Sequence, residues 1–207
     1  MLRLFESIID NIEKLVNQGY YPLTNFKKYP LKDSWSLWLF MPEQKRQWRK
    51  NQHLVSTFNT IDDCWGLFSA IKSPSESRNG ITYSLFRECI LPMWEDVSNR
   101  KGGRWELTLS RNWMNHVDFC WTKLVLSLVS ESFTRYGPVC GAVITIRQNN
   151  IKMSLWVSGN CTSYEIMEIG RVFKRNLQLG KKFKIQFKQH DDCVDHGASN
   201  AQIFMEI

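Results

Sequence analysis

The stretch Val139-Cys-Gly-Ala-Val-Ile-Thr145-Ile-Arg147-Gln-Asn-Asn150-Ile-Lys152-Met-Ser-Leu-Trp156-Val157 decides how the chain folds. Two runs rich in β-branched residues flank a polar Gln-Asn-Asn tip, the composition of two antiparallel strands joined by a tight hairpin. Asn149-Asn150 can take the positive φ angles of a two-residue loop, which predicts Gln148 opposite Ile151 and Arg147 directly opposite Lys152. Side chains alternate along a strand, so Trp156 shares the face of Lys152. Two cations facing each other destabilise a sheet unless an anion sits between them, and a phosphate suits that place. The same residues also suit an ordinary solvated hairpin with one tryptophan in the core.

Working outward, strand-like runs cover residues 35–41, 53–58, 83–87, 104–109, 183–188 and 202–205. Three helical patterns lie among them. The first follows Thr60, an N-cap with Asp63 three residues on, and carries Ile61, Cys64, Trp65, Phe68 and Ile71. The second covers about residues 117–130 with Trp121, Leu124, Val125 and Leu128, and the third about 163–177 with Ile166, Ile169, Val172 and Phe173. Strands outnumber helices, which predicts an α+β fold: an antiparallel sheet with helices on one face. Ahead of this, Leu2, Phe5, Ile9, Ile12 and Val16 repeat at helical spacing, Gly19 ends the pattern, and prolines at 22 and 30 favour an extended connection. Residues 1–26 therefore read as an appendage of amphipathic helix and linker, and 27–207 as the main domain.

The 207 residues suit one compact domain, and hydrophobic residues at 43% supply a sizeable core. Lys and Arg exceed Asp and Glu by 27 to 20, a net charge of +7 that favours an anionic partner such as nucleic acid, nucleotide or membrane headgroups. No apolar run approaches a membrane span, and acidic residues come too early for a secretory signal, so the expectation is a soluble intracellular protein. Six cysteines without a CxxC pair read as reduced, mostly buried thiols. The segment from His190 to His196 holds metal-ligand types without a standard zinc spacing and reads as a polar loop. Neither a nucleophile motif nor a phosphate-cradling glycine loop is present, so no catalytic residue, metal or cofactor is expected.

The nine tryptophans are more telling, because indole is the best stacking and cation-π surface among the side chains. Trp48 sits in a basic loop opened by Pro42, where a large ring is a binding element or else folds back over the sheet. Trp94 is followed by Glu95 in a loop, and a carboxylate beside a stacking ring suits guanine, which presents two adjacent donors.

Taken in order, Tyr29-Pro-Leu31, Trp35-x-Leu-Trp38, Trp48, Asp63-x-Trp65, Tyr83-Ser-Leu-Phe86, Pro92-Met-Trp-Glu-Asp96, Gly102-Gly-Arg-Trp105, Trp121, Cys140-Gly-Ala142, Trp156 and Ile169-Gly-Arg-Val172 resemble the translation initiation factor 4E family, whose members bind the messenger-RNA cap. Trp113 is the one tryptophan outside that pattern. The resemblance runs from about residue 27 to the C-terminus. It implies a curved antiparallel sheet of about eight strands, three helices on its convex face, and a cap held on the concave side without catalysis. It assigns the base sandwich to Trp48 and Trp94, guanine recognition to Glu95, phosphate binding to Arg147, Lys152 and Arg104, and the methyl contact to Trp156. Where the family commonly has a second lysine in the hairpin turn, this chain has Asn149, which lowers the expected triphosphate affinity.

The resemblance also implies a second surface, on the helical side, for scaffold or repressor proteins that carry a Tyr-x-x-x-x-Leu-apolar helix. The matching residues are Tyr29, Pro30, Ile61, Trp65, Thr122, Lys123, Leu126, Val129 and Ser130. Four depart from the usual pattern: Tyr29 replaces histidine, Thr122 leucine, Lys123 glutamate and Ser130 glycine. Lys123 is expected as a reversed charge at the rim that weakens binding of a basic helix. The implied location is cytoplasmic, with the nucleus and RNA granules as further places. Two other classes fit the composition: an interaction module of the same fold with weak cap binding, and a general single-stranded RNA binder.

Overall fold

The computed structural model describes residues 28–42, 48–135, 137–191 and 202–207. The helix and linker expected over 1–26, and the 190–196 segment beyond Asp191, lie outside the described residues. Within them the chain runs β1 (Pro30–Phe40), β2 (Gln52–Thr60), α1 (Ile61–Ala70), β3 (Thr82–Arg87), β4 (Gly103–Ser110), α2 (Met114–Val129), β5 (Val139–Ile146), β6 (Asn150–Val157), α3 (Ser163–Asn176), β7 (Ile185–Gln189) and β8 (Met205–Glu206). The strands form one curved sheet in the order β2-β1-β3-β5-β6-β4-β7-β8, antiparallel throughout. This is the α+β architecture that the alternating runs and the helical patterns imply.

Alternation sorts every strand into two faces. Trp105, Leu107 and Leu109 of β4, Ile151, Met153 and Leu155 of β6, and Ala142, Ile144 and Ile146 of β5 are buried against the helices. Two of the three helices start at side-chain caps, whereas α2 begins at Met114, a few residues ahead of its expected start and without one. The Thr60 hydroxyl accepts from the Asp63 amide at 3.1 Å, and Thr162 with Glu165 forms a reciprocal capping box before α3. Close packing of α3 on the sheet requires Gly170: a Cβ there would fall 2.4 Å from the ring of Trp105, whose Nε1 donates to the Ile166 carbonyl at 2.8 Å. Glycine at this position lets the helix axis approach one of the two largest fully buried side chains.

The β5–β6 hairpin departs from its expected register. Thr145 lies opposite Lys152 and Ile146 opposite Ile151, while the Arg147 amide donates to the Asn150 carbonyl at 2.9 Å. The tip is therefore Gln148-Asn149, and neither residue has positive φ. The observed register makes Ile146 and Ile151 the last apolar pair, both fully buried, and leaves Gln148 in solvent; the expected one would have set Gln148 against Ile151. Apolar pairing outweighs the turn preference of Asn149-Asn150. Because the slip is two residues, the side chains keep their faces, and Arg147 remains on the same side as Lys152.

Candidate functional site

The sheet face away from the helices carries Arg104 and Glu106 from β4, Thr145 from β5, and Lys152, Ser154 and Trp156 from β6. With Arg147 beyond the end of β5 and Met93 and Trp94 from the β3–β4 loop, they line a cavity of about 410 Å³. Trp156 forms its inner end. It is 8% exposed, meets Phe86 edge-on at 5.3 Å between centroids, and lies 4.2 Å from the His190 ring. Its Nε1 has no hydrogen-bond partner among the described residues.

A buried polar chain fixes the loop that brings Trp94 to this cavity. Asn99 is fully buried, and its amide donates to the carbonyls of Leu91 at 2.9 Å and Met93 at 2.8 Å. Asp96 accepts from the amides of Leu91 and Ser98. Burial pushes the His190 imidazole down to about 4, so the ring is neutral at pH 7 and its Nδ1–H donates to the Asn99 carbonyl at 2.8 Å. Trp94 is half-buried on the cluster of Phe86, Cys140 and Trp156.

Glu95 follows at the rim, outside the residues that line the cavity. One carboxylate oxygen is 3.4 Å from Arg49 Nη2, and the other is buried without a hydrogen-bond partner among the described residues. Trp48 opens the 3-10 turn Trp48–Asn51 ahead of β2. The Arg49–Glu95 ion pair spans from that turn to the Trp94 loop.

The cations form a compact set around a residue that sequence reasoning did not single out. Glu106 Oε1 is 2.8 Å from Lys152 Nζ and 3.4 Å from Lys188 Nζ, and Oε2 is 3.5 Å from Arg104 Nε. Burial pushes the Glu106 carboxyl up, but the hydrogen bond and charge of Lys152, with Arg104 and Lys188, hold it below the usual range overall. The anion beside Lys152 is thus supplied by the protein itself, where the hairpin pattern alone suggested a phosphate. Arg147 stands exposed at the mouth, and the Arg111 guanidinium donates to its carbonyl at 3.3 Å. Asn149 is exposed at the tip. The alternation Arg104-Trp-Glu106 could have flagged Glu106 as sharing the face of Arg104; nothing in the sequence points to Asn99 or Lys188.

On the helical side, the Ile61 amide donates to the Tyr29 carbonyl at 2.9 Å, and the Tyr29 amide to Asp62 at 2.9 Å. Backbone pairing thus holds Tyr29 at the start of α1, where Tyr29 is 64% exposed, Ile61 36% and Trp65 50%. Pro30 is also exposed. On α2, Thr122 and Ser130 are exposed and Leu126 and Val129 half-buried. Lys123 is not the open rim charge expected of it. It is 8% exposed, with its ammonium 4.5 Å from the centroid of the Phe119 ring, because its long stem lies along the helix and the aromatic face four residues back accepts the charge.

The described thiols at positions 64, 120 and 140 are buried, and burial pushes Cys64 and Cys140 up to about 12; Cys89 is exposed. Among the described residues no group of three or more His, Cys, Asp or Glu side chains could hold a metal ion, and no helix is long and apolar enough to cross a membrane.

Comparison with known proteins agrees with this fold. A family model described as Eukaryotic initiation factor 4E matches residues 30–204. Eukaryotic translation initiation factor 4E of Homo sapiens is 36% identical over 189 residues, spanning 90% of this chain and 87% of that protein. Eukaryotic translation initiation factor 4E type 1B of Mus musculus is 39% identical over 182 residues, 86% of this chain and 74% of its own. Among solved structures, the complex of C. elegans eIF4E-3 with the 4E-binding protein Mextli and cap analog superposes with a TM-score of 0.80 at 31% identity, covering 87% of this chain and 100% of that one. Ascaris suum eIF4E-3 with m2,2,7G cap gives 0.80 at 30%, covering 87% and 98%. The sheet and its helices are common to the two solved structures, and the chain belongs to the eukaryotic initiation factor 4E family.

Proposed function

We propose that this protein binds the 7-methylguanosine cap of messenger RNA on the concave face of its sheet and serves translation initiation or its control. The observation that carries the reading is the cavity itself, in which an aromatic end, Trp94 and Trp156, adjoins a cationic wall of Arg104, Arg147 and Lys152. Methylation at N7 makes guanine cationic, so stacking between Trp48 and Trp94 gains cation-π attraction that the neutral base lacks. The base edge offers N1–H and the N2 amine, and Glu95, with one buried oxygen unpartnered among the described residues, is suited to accept from them. Trp156 meets the methyl end, and Arg104, Arg147 and Lys152 take the phosphates. Nothing in this scheme requires bond making or breaking; it is recognition alone.

A second surface is favoured by the exposed apolar set Tyr29, Ile61 and Trp65 at the start of α1. With Pro30, Thr122, Lys123, Leu126, Val129 and Ser130, it is a docking face for scaffold or repressor proteins bearing a Tyr-x-x-x-x-Leu-apolar helix, in keeping with the Mextli complex of the C. elegans relative. A module that keeps this face but has lost tight cap binding, or a general single-stranded RNA binder, would lack the methylated-guanine preference. Retention on a resin carrying the methylated cap nucleotide, followed by elution with 7-methyl-GTP but not with GTP, tests the reading. Equal elution by both nucleotides, or no retention, overturns it.

A further inference from the structure

Glu106 lies inside the proposed phosphate site and is itself an anion. On β4 it is opposite Ser154 of β6 and Gln186 of β7, two residues from Arg104, and it lines the cavity while only 8% exposed. Its carboxylate contacts three cations: Lys152 at 2.8 Å, Lys188 at 3.4 Å and Arg104 at 3.5 Å. Lys152 and Arg104 also line the cavity, and Lys188 is buried beside Arg104, its cross-strand neighbour on β7.

We propose that Glu106 is a built-in competitor for ligand phosphates: it offsets one of the three positive charges it contacts in the free protein and lowers the affinity gained from each added phosphate. The inference rests on the cap-binding reading above. A phosphate oxygen that approaches Lys152 must share one ammonium with a carboxylate already 2.8 Å away, and two anions on one cation repel. Water screens this repulsion poorly, because Glu106 is largely buried. Binding a phosphate therefore requires Lys152 either to turn away from Glu106 or to hold both anions. The result is a site whose selectivity comes mainly from the base and less from the phosphate chain. Asn149 at the hairpin tip acts in the same direction, since it supplies no charge where a lysine would.

The competing account makes Glu106 a positioning residue that orients Lys152 toward the ligand, and it predicts the opposite sign. Calorimetric titration of the full chain with 7-methylguanosine and its 5′-mono-, di- and triphosphate distinguishes them. In Glu106→Gln the ratio of triphosphate to nucleoside affinity should rise on the order of tenfold, with the gain growing at each phosphate, while Glu106→Asp keeps the wild-type ratio. Because Glu106→Gln leaves three largely buried cations without their carboxylate, the substitution is also made in a Lys188→Gln background, where the pair removes one charge of each sign. The same rise is expected between Lys188→Gln and the double variant. An unchanged or lowered ratio in a wild type that binds the cap nucleotide overturns the proposal and leaves the cap reading standing. A wild type that binds neither nucleoside nor triphosphate overturns both.

Discussion

Glu95→Gln tests guanine recognition with little disturbance of the fold. The carboxylate has one oxygen buried and, among the described residues, unpartnered, and the other in a long 3.4 Å contact with Arg49, whose side chain is 61% exposed. Such an exposed pair contributes about 0–1 kcal/mol, so its loss moves stability little. In the proposed complex, the two guanine donors would each form a charge-assisted bond worth about 1.5–3 kcal/mol. Glutamine keeps one acceptor, now neutral, and turns an N–H toward the second guanine donor. Losing one bond and weakening the other gives about 3 kcal/mol, on the order of a hundredfold in affinity. Quenching of tryptophan fluorescence by 7-methyl-GTP measures the affinity, and a thermal melt of the same sample checks the fold. Affinity within about threefold of wild type, with guanine still preferred over adenine, would refute the assignment.

Trp48→Ala and Trp94→Ala should each lose about 1–3 kcal/mol of cap affinity, the usual worth of a base stack, read by the same titration. Arg147→Ala should weaken the cap triphosphate more than the bare methylated nucleoside and flatten the salt dependence, whereas Asn149→Lys should strengthen triphosphate binding modestly. On the helical side, Thr122→Leu should tighten a Tyr-x-x-x-x-Leu-apolar peptide at about 25 cal/mol per Å² of apolar area gained, measured by fluorescence anisotropy. Because Lys123 is covered by Phe119 and not displayed at the rim, adding Lys123→Glu should not add to that gain.

Local chemistry wrote most of the fold into the sequence. Thr60 with Asp63 fixed the start of α1, period-two runs fixed which side chains of β4, β5 and β6 meet the helices, and the ordered tryptophan motifs carried the family resemblance. What escaped depends on neighbours distant in the chain. The hairpin register follows from the buried pair Ile146 and Ile151, a tertiary demand that no turn preference of Asn149-Asn150 expresses. Glu106 was legible as a residue on the face of Arg104, but its contact with Lys152 is diagonal across two strands and needs the observed register. Asn99 and His190 meet only because the β3–β4 loop folds back on the end of β7. The burial of Lys123 reflects a side chain long enough to lie along α2, where helical spacing alone marks a surface position.

The most direct measurement of the central claim is the calorimetric affinity of the full chain for 7-methyl-GTP against GTP. Two indoles around a cationic base, each adding about 0.5–2 kcal/mol of cation-π attraction, predict a preference for the methylated nucleotide of at least about fivefold. Equal affinities for the two nucleotides would contradict it.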